Sequence, residues 1–227
     1  MNDFPSENHL AEPFDFLLHG LLGVDYVLHL DVNPTSSARC EIESEERKSG
    51  GLMWHIAHEL AQDTKSRVVL SSNAIGNDSN GRLVLREIEA RKTAFFWIEK
   101  KAEIETPYRV VLRSDQIAPI VLTRYQAAEI FDCEKFPISS TLSDNWPRAK
   151  IVCATDELPF SALHLARWAQ RENLPFYLGR TSNEPHDEFR RAALQAAAAL
   201  ARRAWDFESR GAAVLLLLAE LWNAQEK

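Results

Sequence analysis

The chain has 227 residues, 45% of them hydrophobic and 26% charged, with a formal net charge of −7. That balance is usual for a folded globular chain and excludes a disordered, collagen-like or disulfide-dense one; a chain of this length buries a core without metal or disulfide staples. The acidic balance argues against general affinity for nucleic acid, whose binders present clustered Lys and Arg to phosphate.

Cys40, Cys133 and Cys153 are widely spaced with no CxxC. They read as free thiols in a reducing cytoplasm. Residues 1–13 form a polar, acidic leader that ends at Pro13 and lacks the basic flank and apolar stretch of a signal peptide. From Phe14 to Leu30 the chain is apolar, broken by Gly20 and Gly23. A buried strand, a bend and a second strand over Tyr26 to Val32 follow from that. Asn33 to Ser37 is a turn, and Ala38 to Glu45 alternates in the manner of a strand.

Gly50-Gly51 precedes a helix over Leu52 to Gln62, where Met53, Ile56 and Leu60 recur at helical spacing. Arg67 to Leu70 is a short buried strand, Asn73 to Gly81 a loop, and Arg82 to Arg91 a helix. Phe95 to Ile98, Arg109 to Leu112 and Ile117 to Leu122 read as strands, the first two separated by a charged turn with Lys100 and Lys101. Ala149 to Ala154, Phe160 to Glu172 and Pro175 to Leu178 form a strand, a helix and a strand. Such units pack as parallel strands joined by a right-handed crossover.

Asp187 to Arg203 is Ala-rich and strongly helical, with Arg202 and Arg203 set against the negative end of the helix dipole. The apolar run Gly211 to Leu221 is much shorter than the ~20 residues a spanning helix needs. It reads as a buried helix, and no membrane segment is expected. The fold class is α/β: a parallel sheet flanked by helices, with early strands in charged surroundings that form a separate small sheet.

This order of elements, with "GVDYVLHL", "GGLMWHIAHELA", "NAIGNDSNGRLVLREIEA" and "TPYRVVL", resembles the PfkB or ribokinase-like carbohydrate kinases. The resemblance runs from about Phe14 to about Asn183. It implies a three-layer α/β domain over residues 14–227, with a small β-sheet lid from strands near 26–46 and 94–113 and a divergent helical segment over 184–227. It also implies transfer of the γ-phosphoryl of ATP, with Mg, to a hydroxyl of a sugar or nucleoside. In the family the first strand ends at an Asp that hydrogen-bonds sugar hydroxyls, and Asp25 stands there. A carboxylate suits this task because it accepts two hydroxyl hydrogens at once. Gly50 and Gly51 match a glycine pair that lets the backbone approach the sugar. The family Asn that follows is replaced by His55, which is either a ligand partner or a helix-face histidine bonded to backbone. Asp78, in a loop of the form G-x-D-x-x-G, caps the helix that starts near Gly81.

The phosphate-gripping part departs from the family. Its D-T-x-G-A-G-D segment opens a helix whose amides form an anion hole, and its last Asp is the catalytic base. The nearest segment here is Asp206 to Ala212. Gly211 is its anion-hole remnant, Ala212 falls at the position of the base, and Glu208 is a weak substitute. An unrelated amphipathic tail is the other reading. A family strand that ends in Asp has Gly179 at the corresponding point, and no P-loop is present.

His55 and His58 lie at a spacing that can ligate zinc, but there is no HExxH and no third ligand at a telling distance, so no metal is expected. The expected function is a catalytically impaired, cytoplasmic member of the family that binds a sugar or nucleoside or regulates. The alternatives are an active ATP-dependent phosphotransferase and a structural subunit of a larger assembly. The lid sheet forms dimer contacts in some relatives, and an exposed edge strand invites pairing, which implies a homodimer through lid strands.

Overall fold

Leu17 and Leu18 follow one another in a strand, so they point to opposite faces, and both are fully shielded from solvent. Only a sheet covered on both sides provides that, and such sheets are typically parallel. The computed structural model describes residues 13–32, 34, 39–63, 66–91, 95–101, 103–115, 117–125, 132, 146–180 and 188–206. In chain order the first elements are β1 (Phe14–His19), β2 (Gly23–Leu30), β3 (Ile42–Gly50), α1 (Leu52–Asp63), β4 (Val68–Gly76) and α2 (Ser79–Arg91). Next come β5 (Phe95–Lys101), β6 (Tyr108–Ser114), β7 (Ile117–Arg124) and β8 (Ala149–Thr155). The last described are α3 (Pro159–Arg171), β9 (Phe176–Arg180), α4 (Glu188–Leu200) and β10 (Arg203–Asp206).

Among the described residues the large sheet has six parallel strands in the order β10-β9-β8-β1-β4-β5. The alternation of β1 divides the core. Phe16 and Leu18 pack with Met53, Ile56 and Leu60 of α1 and with Val84 and Ile88 of α2. Leu17, with Val69 and Val152, packs with Leu163 and Ala166 of α3 and Leu194 and Ala197 of α4. Each fully buried Leu contributes roughly 1.5–3 kcal/mol relative to an exposed one. No helix among the described residues is long and apolar enough to cross a membrane.

The expected strand-helix-strand unit is present as β8-α3-β9, with β8 and β9 paired in parallel. Its return turn passes through Asn173 at φ 54°, a left-handed conformation that Asn tolerates better than most residues. A second unit, β9-α4-β10, corrects the sequence expectation. The Ala-rich helix stops at Leu200 instead of reaching Arg203, and the Arg202 amide donates to the Phe176 carbonyl at 2.8 Å. Arg203 to Asp206 then pair with Tyr177 to Arg180. Helix propensity carries the expectation past the point where the sheet edge takes over the backbone donors, so Arg202 and Arg203 do not serve the helix dipole.

The small sheet has, among the described residues, four strands in the order β3-β2-β6-β7. β2 is antiparallel to β3 and parallel to β6, and β6 is antiparallel to β7. The expected lid boundaries shift accordingly. β2 begins at Gly23 rather than Tyr26, so Asp25 lies inside the second strand and not at the end of the first. β3 runs over Ile42–Gly50, later than Ala38 to Glu45. The segment near 94–101 leaves the lid because β5 pairs with β4, and β7 takes the outer place instead. β4 continues past Leu70 to Gly76 and α2 begins at Ser79, which leaves little of the loop expected over Asn73 to Gly81.

Polar contacts fix the two ends of β1. At its start the Asp15 carboxylate accepts the Arg67 amide at 2.9 Å and Lys150 Nζ at 2.7 Å. Burial works against the Asp15 charge, but these bonds and the nearby cations hold its carboxyl below the usual range. At the end of β1 the buried His19 ring bonds Ser71 Oγ through Nδ1 at 3.0 Å and Ser161 Oγ through Nε2 at 2.8 Å. The Ser161 hydroxyl donates to the Leu158 carbonyl at 3.1 Å. With its own proton committed to Leu158, Ser161 Oγ accepts from Nε2, and the two ring bonds tie β1, β4 and α3 together. Asp132 caps α3 from outside, accepting the Phe160 amide at 2.9 Å and the Ser161 amide at 3.2 Å. Cys40 and Cys153 are free thiols; burial pushes the Cys153 thiol up and makes it inert at neutral pH. Cys133 lies outside the described residues.

Candidate functional site

In an open parallel sheet, ligands bind beyond the carboxyl ends of the strands, where the chain order reverses. Here β1 lies between β4 and β8, and the chain proceeds outward from it in both directions. The reversal point is therefore the β1/β8 edge, and β1 leads from it through Leu21 and Leu22 into β2 of the lid.

Asp25 is the third residue of β2 and is 3% exposed. Its partner in the parallel register is Arg109 of β6, so both side chains lie on one face of the lid. Arg109 grips the carboxylate in a two-point bond: Nε donates to Oδ1 at 2.6 Å and Nη2 donates to Oδ2. Burial works against the guanidinium charge. The bond to Asp25, together with the charges of Asp25 and Glu157 and of the Tyr125 phenolate that exists at the high pH where an arginine titrates, outweighs it and holds Arg109 above its ordinary value. Glu157 follows β8 and accepts the Thr155 hydroxyl at 3.1 Å. Arg109 is thus where the lid meets the reversal point electrostatically.

The glycine pair sits directly against this ion pair. A Cβ on Gly50 would fall on the Asp25 carboxylate, 2.8 Å from Oδ2 and nearer still to Oδ1. Gly51 has φ +114°, which L side chains rarely adopt, and a Cβ there would strike the Leu21 carbonyl. The Gly51 carbonyl accepts the His55 amide at 3.3 Å in the first turn of α1. Asp25, Gly50, Gly51 and the start of the His55 helix are therefore brought together. Arg109 belongs to the same cluster and was missed by sequence reasoning.

Asp78 caps α2, as expected. Its carboxylate accepts the Gly81 amide, the Thr106 amide and the Thr106 hydroxyl, each at 2.7 Å. Burial would raise this carboxyl, but those bonds together hold it below the usual range. Its lone pairs are spent on structure, clamping the approach to β6 onto α2. On the opposite face of the lid from Asp25 lies a cleft of about 450 Å³ lined by Tyr26, Asp78, Ser79, Asn80, Glu105, Tyr108 and Val110. Its polar groups are largely paired among themselves: Tyr26 donates to Asn80 Oδ1 at 2.7 Å, and Arg47 lies 5.4 Å over the Tyr26 ring.

His58 stacks on Trp54, with ring centroids 6.3 Å apart, so the expected histidine pair is divided between packing and the glycine turn. No group of three or more His, Cys, Asp or Glu among the described residues is arranged to hold a metal ion. Glu208, Gly211 and Ala212 lie outside the described residues. Asp206 closes β10, at the edge of the large sheet.

No family model matches the chain, and no curated protein matches it. Solved structures do. A carbohydrate kinase from Agrobacterium tumefaciens superposes with a TM-score of 0.63 at 13% identity, over 84% of this chain and 60% of that one. A putative ribokinase from the same organism gives 0.66 at 14% identity, over 92% and 65%. Arabidopsis thaliana ribokinase, solved with ribose and ATP, gives 0.61 at 10% identity, over 86% and 72%. The chain thus spans 60% and 65% of the length of the two Agrobacterium proteins. At these identities the likeness is one of fold.

Proposed function

We propose, from the premise that this chain has the fold of the ribokinase-like carbohydrate kinases, that it binds a sugar or nucleoside at the lid face that carries Asp25. In this reading it is catalytically impaired and serves in the cytoplasm as a binding or regulatory module. One observation carries it: a carboxylate 3% exposed, seated against Gly50 and held by Arg109 above the reversal point of the sheet. Each Asp25 oxygen spends one lone pair on Arg109 and keeps another for a hydroxyl hydrogen. Two neighbouring hydroxyls of a sugar ring match that pair of oxygens. Gly50 and Gly51 present backbone without side chains, and His55 stands at the same turn as a further partner.

The resemblance implies ATP and Mg as cofactors. When bound, ATP would supply the γ-phosphoryl group. Among the described residues, the position where the family strand ends in Asp is held by Gly179, whose carbonyl accepts the Asp156 amide at 3.0 Å. It supplies no carboxylate, so that position does not fit the family's nucleotide side. The loss of transfer rests on that glycine and on Ala212 at the position of the base, with Gly211 as remnant and Glu208 as the nearest acid.

An active phosphotransferase is the second reading, favoured by the Arabidopsis neighbour solved with ribose and ATP. A third, a homodimer or larger assembly through lid strands, is favoured by Ile42, Val121 and Leu122, which are 54%, 48% and 55% exposed. Calorimetric titration of a sugar and nucleoside panel tests the first reading, with ADP release followed in parallel. The expected result is binding that weakens at least about tenfold in Asp25→Ala, without ADP release. Sugar-dependent ADP release that disappears in Asp25→Ala would establish the second reading, and no binding across the panel would end the first.

A further inference from the structure

We infer that Asn80 is a positioning residue for the Asp25 site: from the back of the lid it latches β2 and β3 to the start of α2, and so fixes where Asp25 stands. The positioning role rests on the binding reading above, whereas the latch is tested without a ligand.

Asp25 and Tyr26 follow one another in β2, so they point to opposite faces of the lid. Arg47 of β3 is the register partner of Tyr26 and shares its face. Both reach one atom. Asn80 Oδ1 accepts the Tyr26 hydroxyl at 2.7 Å and also Arg47 Nη2. A guanidinium only donates, which fixes the amide with its oxygen toward the lid. Asn80 is 8% exposed, so the acceptor sits largely out of water, and its bond to Arg47 is charge-assisted. The two preceding residues add to this. Ser79 Oγ accepts Arg47 Nη2 at 3.4 Å, and Asp78 accepts the amide and hydroxyl of Thr106, just before β6. Three consecutive residues at the start of α2 thus hold β2, β3 and the approach to β6.

Apolar packing does not reach as far. Val24 joins the core cluster with Val84 and Ile88 of α2, but Tyr26 and Tyr108 only border it. There the cleft of about 450 Å³ opens between Tyr108 and Val110 of the lid and Ser79 and Asn80 of α2. Where side chains leave that space unfilled, the bonds to Asn80 bridge it. Tyr26 is next to Asp25 in the chain, and Arg47 is next to Lys48, the register partner of Asp25. A lid released at Asn80 therefore shifts the carboxylate itself.

Two amides cross the same seam and report on it. Ser49 donates to Glu87 Oε2 of α2 at 3.1 Å, and Thr106 donates to Asp78 Oδ2 at 2.7 Å. The test is hydrogen exchange of these amides in the intact protein. In Asn80→Ala both are expected to exchange about tenfold faster. Asn80→Asp keeps an oxygen for both donors and should restore slow exchange. Leu163→Ala weakens the core on the other side of the large sheet, which a released lid leaves intact, so it should not speed the two amides. No acceleration in Asn80→Ala, no rescue by Asn80→Asp, or equal acceleration in Leu163→Ala would each overturn the latch. Ribose and adenosine, titrated into the unaltered protein and the two Asn80 variants, test the positioning. Affinity about tenfold weaker in Asn80→Ala and regained in Asn80→Asp is expected. Equal affinity in all three would overturn the positioning role and leave the binding reading standing. Binding to none of them would remove both, and the exchange rates alone would then decide the latch.

Discussion

In the large sheet Leu17, Leu18 and Leu70 are fully shielded; in the small sheet Ile42, Val121 and Leu122 are 54%, 48% and 55% exposed. The first sheet lies between two helical layers and carries most of the apolar burial. The second has strands of either direction, little core of its own, and a buried ion pair, Asp25 with Arg109, on the face that meets the reversal point. A sheet that carries little apolar burial is free to vary its polar residues, and the proposed ligand would be selected there. The difference also shows why a charged pair can be held 5% and 12% exposed in so thin an element: it packs against Gly50 at the end of β3 and faces the charge of Glu157, which follows β8 of the large sheet.

Substitutions on either side can break or sharpen this division. The largest effect is expected at the seam. Arg109→Met leaves Asp25 buried and unpaired and should cost about 4 kcal/mol in urea unfolding; a loss below about 1 kcal/mol would mean the pair behaves as a surface bridge. Leu70→Ala, in the large sheet, should cost about 3 kcal/mol in the same assay. Sugar affinity per folded molecule should stay unchanged, since Leu70 packs against α1 and α2 rather than beside Asp25. A change in affinity without a change in stability would contradict the division outright.

Asp78→Ala removes the α2 cap and the clamp on Thr106 and should cost about 1–2 kcal/mol. The folded carboxyl is held below its ordinary value, so its contribution is fully present above the unfolded carboxylate range near 4. It is lost as pH falls through the depressed folded value. Unfolding curves of the two proteins should therefore differ at pH 7 and converge in acid; a constant gap between them would assign the effect to packing.

Some of this was legible in the sequence because period and composition act locally. Met53, Ile56 and Leu60 mark α1 without help from the rest of the chain, and the β8-α3-β9 unit follows from two apolar runs and a helical spacing between them. The glycine pair is visible because Gly50 is dictated by a neighbouring side chain and Gly51 by its own dihedral. Strand pairing is not local, and the errors collect there. Segment 95–101 reads as a strand either way; only its partner, β4, assigns it to the large sheet. β10 has four residues and follows a stretch of strong helix formers, so propensity conceals it. Arg109 opens the strand expected over Arg109 to Leu112, and no motif singles it out. The available signal was parity: Arg109 shares its face with Val111, which is 8% exposed, and an arginine on the buried face of a strand calls for an anion.

Asp25 and Arg109 are 84 residues apart in sequence. A ribosome that adds about 5–20 residues per second takes roughly 4–17 s to pass from one to the other. β3 is made within that interval and can pair with β2 as a hairpin, whereas β6 cannot. The lid is therefore assembled in two instalments, and its carboxylate waits in water through the first. A nascent chain halted before residue 109 can possess the glycine turn and the aspartate, yet it has no means of dehydrating that charge, so the proposed site is completed only after synthesis has moved well past the segment that holds its carboxylate.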